Sequence, residues 1–271
     1  MTHAAAVRER AGAMPVPLEE VIRYLDHTLE IAAFRDYGPN GLQVEGRRQV
    51  ARVVTGVSAS LALIEAAAAR RADLLIVHHG LIWGPGIERI VGATARRLGA
   101  LFGAGLSLAA YHLPLDKHPR LGNNAGLADA LGLPEPRTAF GEVRGQLLGL
   151  ACELAKPLPR AELLGRLREA VLGGGEPNFV FPHGPELVRK VGLCTGAASD
   201  LLEAAAAAGC ELYVTGELAE RAGPLAHELG VTLVAAGHHR TEVFGPRRLA
   251  HELAATFPDL EAEFVDIPSP L

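Results

Sequence analysis

Cysteine is scarce in this 271-residue chain: there are three, Cys152, Cys194 and Cys210, and no two share a CxxC spacing. An odd, sparse set argues against a disulfide framework and suits free thiols in a reducing cytoplasm. No uncharged apolar stretch reaches the ~18 residues of a membrane span. The opening "MTHAAAVRERAGAMPVPLEE" mixes Arg and Glu and lacks the apolar core of a signal peptide. Positive charge is not in excess either. A net charge of -5 argues against a broad electrostatic attraction to nucleic acid or an anionic membrane. "GGGEPN" at 173–178 lacks the Lys-Ser/Thr of a P-loop, follows a helical stretch and reads as a surface loop. Ser58, Ser60 and Ser107 sit in no G-x-S-x-G elbow. What remains is the composition of a soluble, cytoplasmic globular protein, 49% hydrophobic and 21% charged, with length for one large domain or two moderate ones.

Residues 1–16 read as a flexible lead-in ended by Pro15 and Pro17. "LEEVIRYLDHTLEI" then shows helical spacing through Leu18, Ile22, Leu25 and Leu29, with Glu19 and Glu20 in its first turn. "RDYGPNGLQVEG" reads as a turn-rich loop. From Val50 onward β-branched runs alternate with Ala-rich helical runs, the pattern of an α/β fold with a mostly parallel or mixed sheet.

The chain also repeats itself. "LIEAAAARRADLLIVHH" (63–79) aligns without gaps on "LLEAAAAAGCELYVTGE" (201–217), at an offset of 138. Ala-rich helices match easily by chance, but the next element recurs too: "LAAYHLPLD" (108–116) parallels "VAAGHHRTE" (234–242). Each copy runs strand, small residues, His, three residues, carboxylate. We read a diverged duplication: two related three-layer α/β units, 17–133 and 134–271, joined through the Pro/Gly-bearing region 132–145. The C-terminal part of the second unit is free to pack back on the first.

Three features, at 78–79, 112–116 and 238–242, each follow an apolar strand. In α/β sheets the crevice beyond the carboxyl ends of the strands is where ligands bind. Adjacent residues of a strand point to opposite sides, so His78 and His79 reach two points more readily than one. Two metal ions, held roughly 3.5–4 Å apart in dinuclear hydrolase centres, would use that geometry. A bridging carboxylate offsets the repulsion of two cations, and Asp116 and Glu242 supply carboxylates, with His238 a third imidazole. A His/carboxylate set without thiolate suits Zn, Mn, Fe, Co or Ni, two divalent ions per chain. Trp83 reads as core, as pocket wall, or as a surface on which a base could stack. Glu217 aligns with His79 and reads either as an acid/base near the metals or as a surface or helix-capping glutamate. Asp36 and Asn40 order the pocket loop or simply make a turn.

"HHGLIW", "HLPLD" and "GHHRTE", with "NGLQV" and "VTGE", resemble the dinuclear-metal hexameric family labelled GTP cyclohydrolase type 2 homologues, or NGG-interacting-factor-three-like proteins. The resemblance runs from about residue 18 to 268, with the five motifs in family order. It implies His78, His79, Asp116, His238 and Glu242 as metal ligands, with the metal site between the two units or at the ends of their strands. It implies His112 at the same pocket; in a metal-dependent hydrolase His112 or Glu217 would move protons. Many members have Pro after the paired histidines and Thr-Asn inside the second motif; Gly80 and Leu113-Pro114 stand there in this chain, which bears on substrate fit. The large domain that some members insert between the halves is missing. The implied assembly is a homohexamer of three dimers. The implied activity is hydrolysis of a small substrate, GTP or a related phosphorylated heterocycle. The alternative is a metal-binding scaffold, adaptor or metal chaperone without turnover.

Overall fold

The computed structural model describes residues 14–270, so the lead-in read over 1–16 lies, up to residue 13, outside the described residues. A two-residue strand, Val16–Pro17 (β1), opens the first unit and pairs with Gln49–Val50 further on. Helix α1, Leu18–Thr28, follows directly, burying Leu18, Val21 and Leu25 on one face with Glu19 and Glu20 at its positive end. After it come β2 (Gly41–Val44), β3 (Gln49–Val50) and β4 (Arg52–Ser58). Ser60 caps α2 (Leu61–Ala69) through its side chain, accepting from the Leu63 N–H at 3.2 Å. Then follow β5 (Leu74–His79), α3 (Gly92–Ala104), β6 (Ser107–Ala110) and the short α4 (Leu113–Lys117) and α5 (Asn123–Ala130).

The second unit runs β7 (Arg137–Val143), β8 (Gln146–Pro159), α6 (Arg160–Ala170), β9 (Phe179–Pro182) and β10 (Leu187–Cys194). It continues through α7 (Leu202–Ala207), β11 (Leu212–Thr215), α8 (Ala222–Leu229), β12 (Thr232–Ala235) and α9 (His238–Thr241). The chain ends with α10 (Phe244–Thr256) and β13 (Glu261–Phe264). These last two return to the first unit, where β13 pairs in parallel with β4 and Leu249 and Leu253 of α10 join its core.

The two larger sheets have the orders β13-β4-β5-β6-β2 and β7-β8-β10-β11-β12-β9. Within them β4-β5-β6 and β10-β11-β12 are parallel triplets, each flanked by an antiparallel edge strand, β2 beside β6 and β9 beside β12. The strand through Val77 and the strand ending at Thr215 are therefore both the middle of a triplet, as the internal repeat expects. The strands leading to His112 and His238 are both third. Apolar layers cover both faces of each sheet. Helices α1 and α10 lie on one face of the first sheet and α2 and α3 on the other. Helices α5 and α6 face the second sheet on one side, α7 and α8 on the other.

Two local readings change. Gly41–Val44 is an edge strand inside the stretch read as a loop; its hydrogen-bonding partner, β6, lies far along the chain and leaves no local signal. The region 132–145 is no simple joint, because β7 occupies 137–143 and hairpins onto β8.

Candidate metal centre

Strand β5 explains how two adjacent histidines arrive together. Leu74 and Ile76 pack into the layer under α1 and α10, Leu75 and Val77 into the layer under α2 and α3. By the same pleat His78 and His79 leave the strand toward opposite sides, although their rings stay within 4.6 Å, centroid to centroid. His78 is fully buried. Its Nδ1 lies 3.0 Å from the Tyr111 carbonyl, which fixes the proton there and leaves Nε2 as the free lone pair. His79 Nδ1 lies 3.1 Å from the Ser58 hydroxyl.

The other side chains come from the turns after β6 and β12. His112 caps α4, whose buried Asp116 sits one turn on. His238 begins α9, and Glu242 is its C-cap. Thus the His-x3-carboxylate spacing becomes a single helical turn at the carboxyl end of the third parallel strand in both units. The units face each other, and Asp116 and Glu242 both approach His78 Nε2, to 3.4 Å each. Glu242 also lies 3.2 Å from the Nε2 atoms of His79 and His238.

Among the described residues three groups could each hold a cation with one donor atom per residue, all donors within 4.8 Å of one another: His78, Asp116 and Glu242; His79, His238 and Glu242; and His78, His79 and His112. All five residues expected as ligands, and His112, are therefore brought together. Glu217 stands just outside, its carboxylate 2.8 Å from His238 Nδ1.

The chemistry of the cluster fits a cation. His78 Nε2 and Glu242 Oε2 are buried and have no hydrogen-bond partner among the described residues; the 3.2–3.4 Å approaches around them lack hydrogen-bond alignment. Unpartnered buried polar atoms are costly, so two of them in one cluster call for a shared partner. Charge says the same. Burial disfavours a charged His78, yet Asp116 and Glu242 outweigh it and push its pKa up to about 10. Burial likewise works to raise Glu242, and His78, His79 and His238 hold it well below the usual range. Burial raises Asp116. It also drives His79 down to about 3, keeping that ring neutral as a metal ligand must be. For His238 burial is again opposed, here by Glu242 and Glu217, to about 9. The two carboxylates demand positive charge at His78; a proton or a divalent ion can supply it.

Several supporting residues carried little or no sequence signal. Asp36 accepts at 2.7 Å from His112 Nδ1 and at 2.9 Å from the Leu113 N–H, and Asn40 accepts from the His112 N–H at 2.8 Å. Of the two readings open for Asp36 and Asn40, they order the pocket loop. Gln43 of "NGLQV" accepts from the Leu81 and Ile82 N–H groups and so pins the loop after the histidine pair. Asn123 and Thr195 donate to Asp116 at 2.9 and 3.2 Å. Trp83 lines the cavity beside the cluster and is partly exposed. Gly173 and Gly174 make an exposed turn with positive φ.

Comparison with known proteins places this geometry. A family model described as Duf34/NIF3 (NGG1p interacting factor 3) matches residues 16–270. A Pseudomonas aeruginosa protein named GTP cyclohydrolase 1 type 2 homolog is 41% identical over 264 residues, 95% of this chain and 100% of that one. An Archaeoglobus fulgidus protein of the same name is 43% identical over 254 residues, covering 94% and 99%. The solved structure titled protein ybgI, of unknown function, superposes with a TM-score of 0.86 at 40% identity, covering 94% of this chain and 100% of that one.

Proposed function

Because the chain belongs to the Duf34/NIF3 family, we propose that the buried cluster is the dinuclear metal centre of a hydrolase acting on a small substrate. The observation that supports it best is the pair of buried, unpartnered atoms, His78 Nε2 and Glu242 Oε2, amid further His and Asp donors. His78, Asp116 and Glu242 would hold one ion, and His79, His238 and Glu242 a second, with Glu242 common to both. Bound in this donor set, divalent ions would supply Lewis acidity toward a substrate oxygen and toward water. Zn, Mn, Fe, Co and Ni all suit the donor set.

The protein's own groups do the rest. The Tyr111 carbonyl fixes the tautomer of His78, and the Ser58 hydroxyl holds the His79 ring through its Nδ1. Asp36 engages His112 Nδ1, leaving Nε2 to take or give a proton at the pocket. Glu217 orients His238 and, being half-exposed, can exchange protons with solvent. The relatives' shared name makes GTP and related purine nucleotides the first substrates to test.

We further propose a homohexamer of three dimers in a ring, with the pockets opening on a shared interior that admits small molecules. Sedimentation at micromolar concentration should then give about six times the 28.5 kDa chain mass.

Purified protein should carry close to two transition-metal ions per chain by elemental analysis. Metal-loaded protein should turn over many equivalents of at least one member of a nucleotide panel, and His79→Ala should abolish this. Metal retained with no turnover would overturn the hydrolase and favour a metal-binding scaffold or adaptor, in keeping with the interacting-factor description of the family. Loss of metal with all five ligands intact would overturn the centre itself.

A further inference from the structure

The cavity beside the cluster measures about 560 Å³, within the range of small-molecule sites. Its walls divide by chemistry. One end is the His/carboxylate cluster. The first unit adds the aromatic side chains of Tyr37 and Trp83, and the second adds apolar Val143, Leu148 and Leu201. Trp83 and Tyr37 both stand edge-on to His112, at 5.0 and 5.9 Å between centroids. Aromatic and apolar walls of this kind suit a flat ring. Among the described residues no lysine or arginine lines the cavity, whereas Asp116, Asp200 and Glu242 do.

Among the described residues, two guanidinium groups meet lining residues in an ion pair or over a ring. Arg221 is engaged by Asp200 at 2.5 Å. Arg144 lies 4.0 Å over the Tyr37 ring, and among the described residues it has no carboxylate or hydrogen-bond partner for its side chain. Its place on the chain is also unusual. Arg144 and Gly145 form the two-residue turn between β7 and β8, with φ of +52° and +84°. Such turns favour Asn or Gly at the first position, and a bulky residue there is strained. An exposed cation–π contact is weak, so neither the turn nor the ring accounts for an arginine. Strain kept beside a ligand pocket points to use.

We propose that Arg144 reads an anionic group on the substrate. The substrate is a flat aromatic compound held against Trp83 and Tyr37, with one phosphate or carboxylate on the Arg144 guanidinium, whose planar fork matches either anion. The proposal rests on this cavity being the substrate pocket of the hydrolase described above.

Trp83 is the only tryptophan of the chain, so its fluorescence reports on this pocket. Metal-loaded, full-length protein is titrated with two matched pairs, guanosine against guanosine 5′-monophosphate and nicotinamide against nicotinic acid, and with inorganic phosphate alone. In at least one pair the charged member should bind at least tenfold more tightly than the neutral one. The pair that shows the gap tells phosphate from carboxylate, and phosphate alone should not change the signal. Arg144→Gln should bring the charged compound to the affinity of its neutral partner, and Arg144→Lys should keep part of the gap. Arg144→Asn, which suits the turn, should lose the gap as well while melting at or above the wild-type temperature. All three variants should keep their metal. The idea is overturned if no probe binds, if neither pair shows a gap, or if the gap survives in Arg144→Gln. Turnover without a gap would retire Arg144 and leave the hydrolase. A gap without turnover or without metal would do the reverse.

Discussion

At Gly196 the backbone passes so close to the cluster that an added methyl group would sit 2.2 Å from Glu242 Oε1 and 3.3 Å from His238 Nε2. Its φ is +71°, a region side chains rarely adopt. Gly209 has a similar φ of +80° but open space, with its nearest neighbour, a Lys190 carbon, at 3.9 Å. Comparing the two separates strain from collision. Gly209→Ala should cost about 1 kcal/mol in denaturant unfolding and leave metal content unchanged. Gly196→Ala should cost more and also displace Glu242, lowering metal affinity at least tenfold in a competition titration. Equal metal affinity in the two variants would mean that Glu242 is not a ligand. Legibility at this scale follows sequence distance. His78 and His79 stand out because a buried run leads straight to them. Asp36, Asn40, Ser58 and Thr195 look like ordinary turn and strand-end polar residues. Only the packing of loops distant in sequence brings Asp36 to His112 and Thr195 to Asp116.

Elements that return from afar need ties, and α10 has a well-defined one. Glu252 accepts from Arg120 at 2.7 and 2.9 Å and from the Tyr24 hydroxyl at 2.7 Å, joining α10 to α1 and to the turn before α5. Hydrogen bonding from Arg120, then from Tyr24, pulls the Glu252 pKa down to about 2 from 4.5. A folded pKa below the unfolded one means that the folded state resists protonation. The contribution is therefore complete above about pH 4.5 and is lost as pH falls toward 2. Arg120 is 65% exposed, so solvent screens the pair and its worth is modest. Glu252→Gln should flatten the acid limb of the stability–pH curve between about pH 5 and 2.5, with little change in shape near neutrality. An unchanged acid limb would assign the tie no energetic role. The placement of α10 and β13 on the first unit illustrates why topology is harder to read than elements. The periodicity of α10 marks a helix, but nothing in "EAEF" says that it will pair with a strand two hundred residues earlier. Edge strand β2 and hairpin strand β7 escaped for the same reason, since main-chain pairing leaves no side-chain pattern. The parallel triplets were legible because buried strands alternate with helices, and because the chain says it twice.

On the scale of the whole molecule, the cluster lies where the two units meet. His78, His79 and Asp116 come from the first, His238 and Glu242 from the second. An ion shared across that boundary would do more than chemistry, because it would bind the folded arrangement and not the unfolded chain. Such binding stabilises by RT ln(1 + [L]/Kd), about 2.7 kcal/mol at a hundredfold excess over Kd. Without the ion, the buried carboxylates rely on a proton at His78 for compensation, and that proton satisfies fewer of the converging atoms. Stripping metal from the wild-type protein with a chelator should therefore lower its melting temperature, and adding back a divalent ion should restore it in a concentration-dependent way. Glu242→Ala removes the carboxylate common to two of the three donor groups, so its melting temperature should no longer depend on whether chelator or metal is present. Asp116→Ala belongs to one group only and should keep part of that dependence. Calorimetry on the three proteins, each with and without chelator, decides the question: an equal response in wild type and Glu242→Ala would place the ion elsewhere and return the cluster to a network held by protons alone.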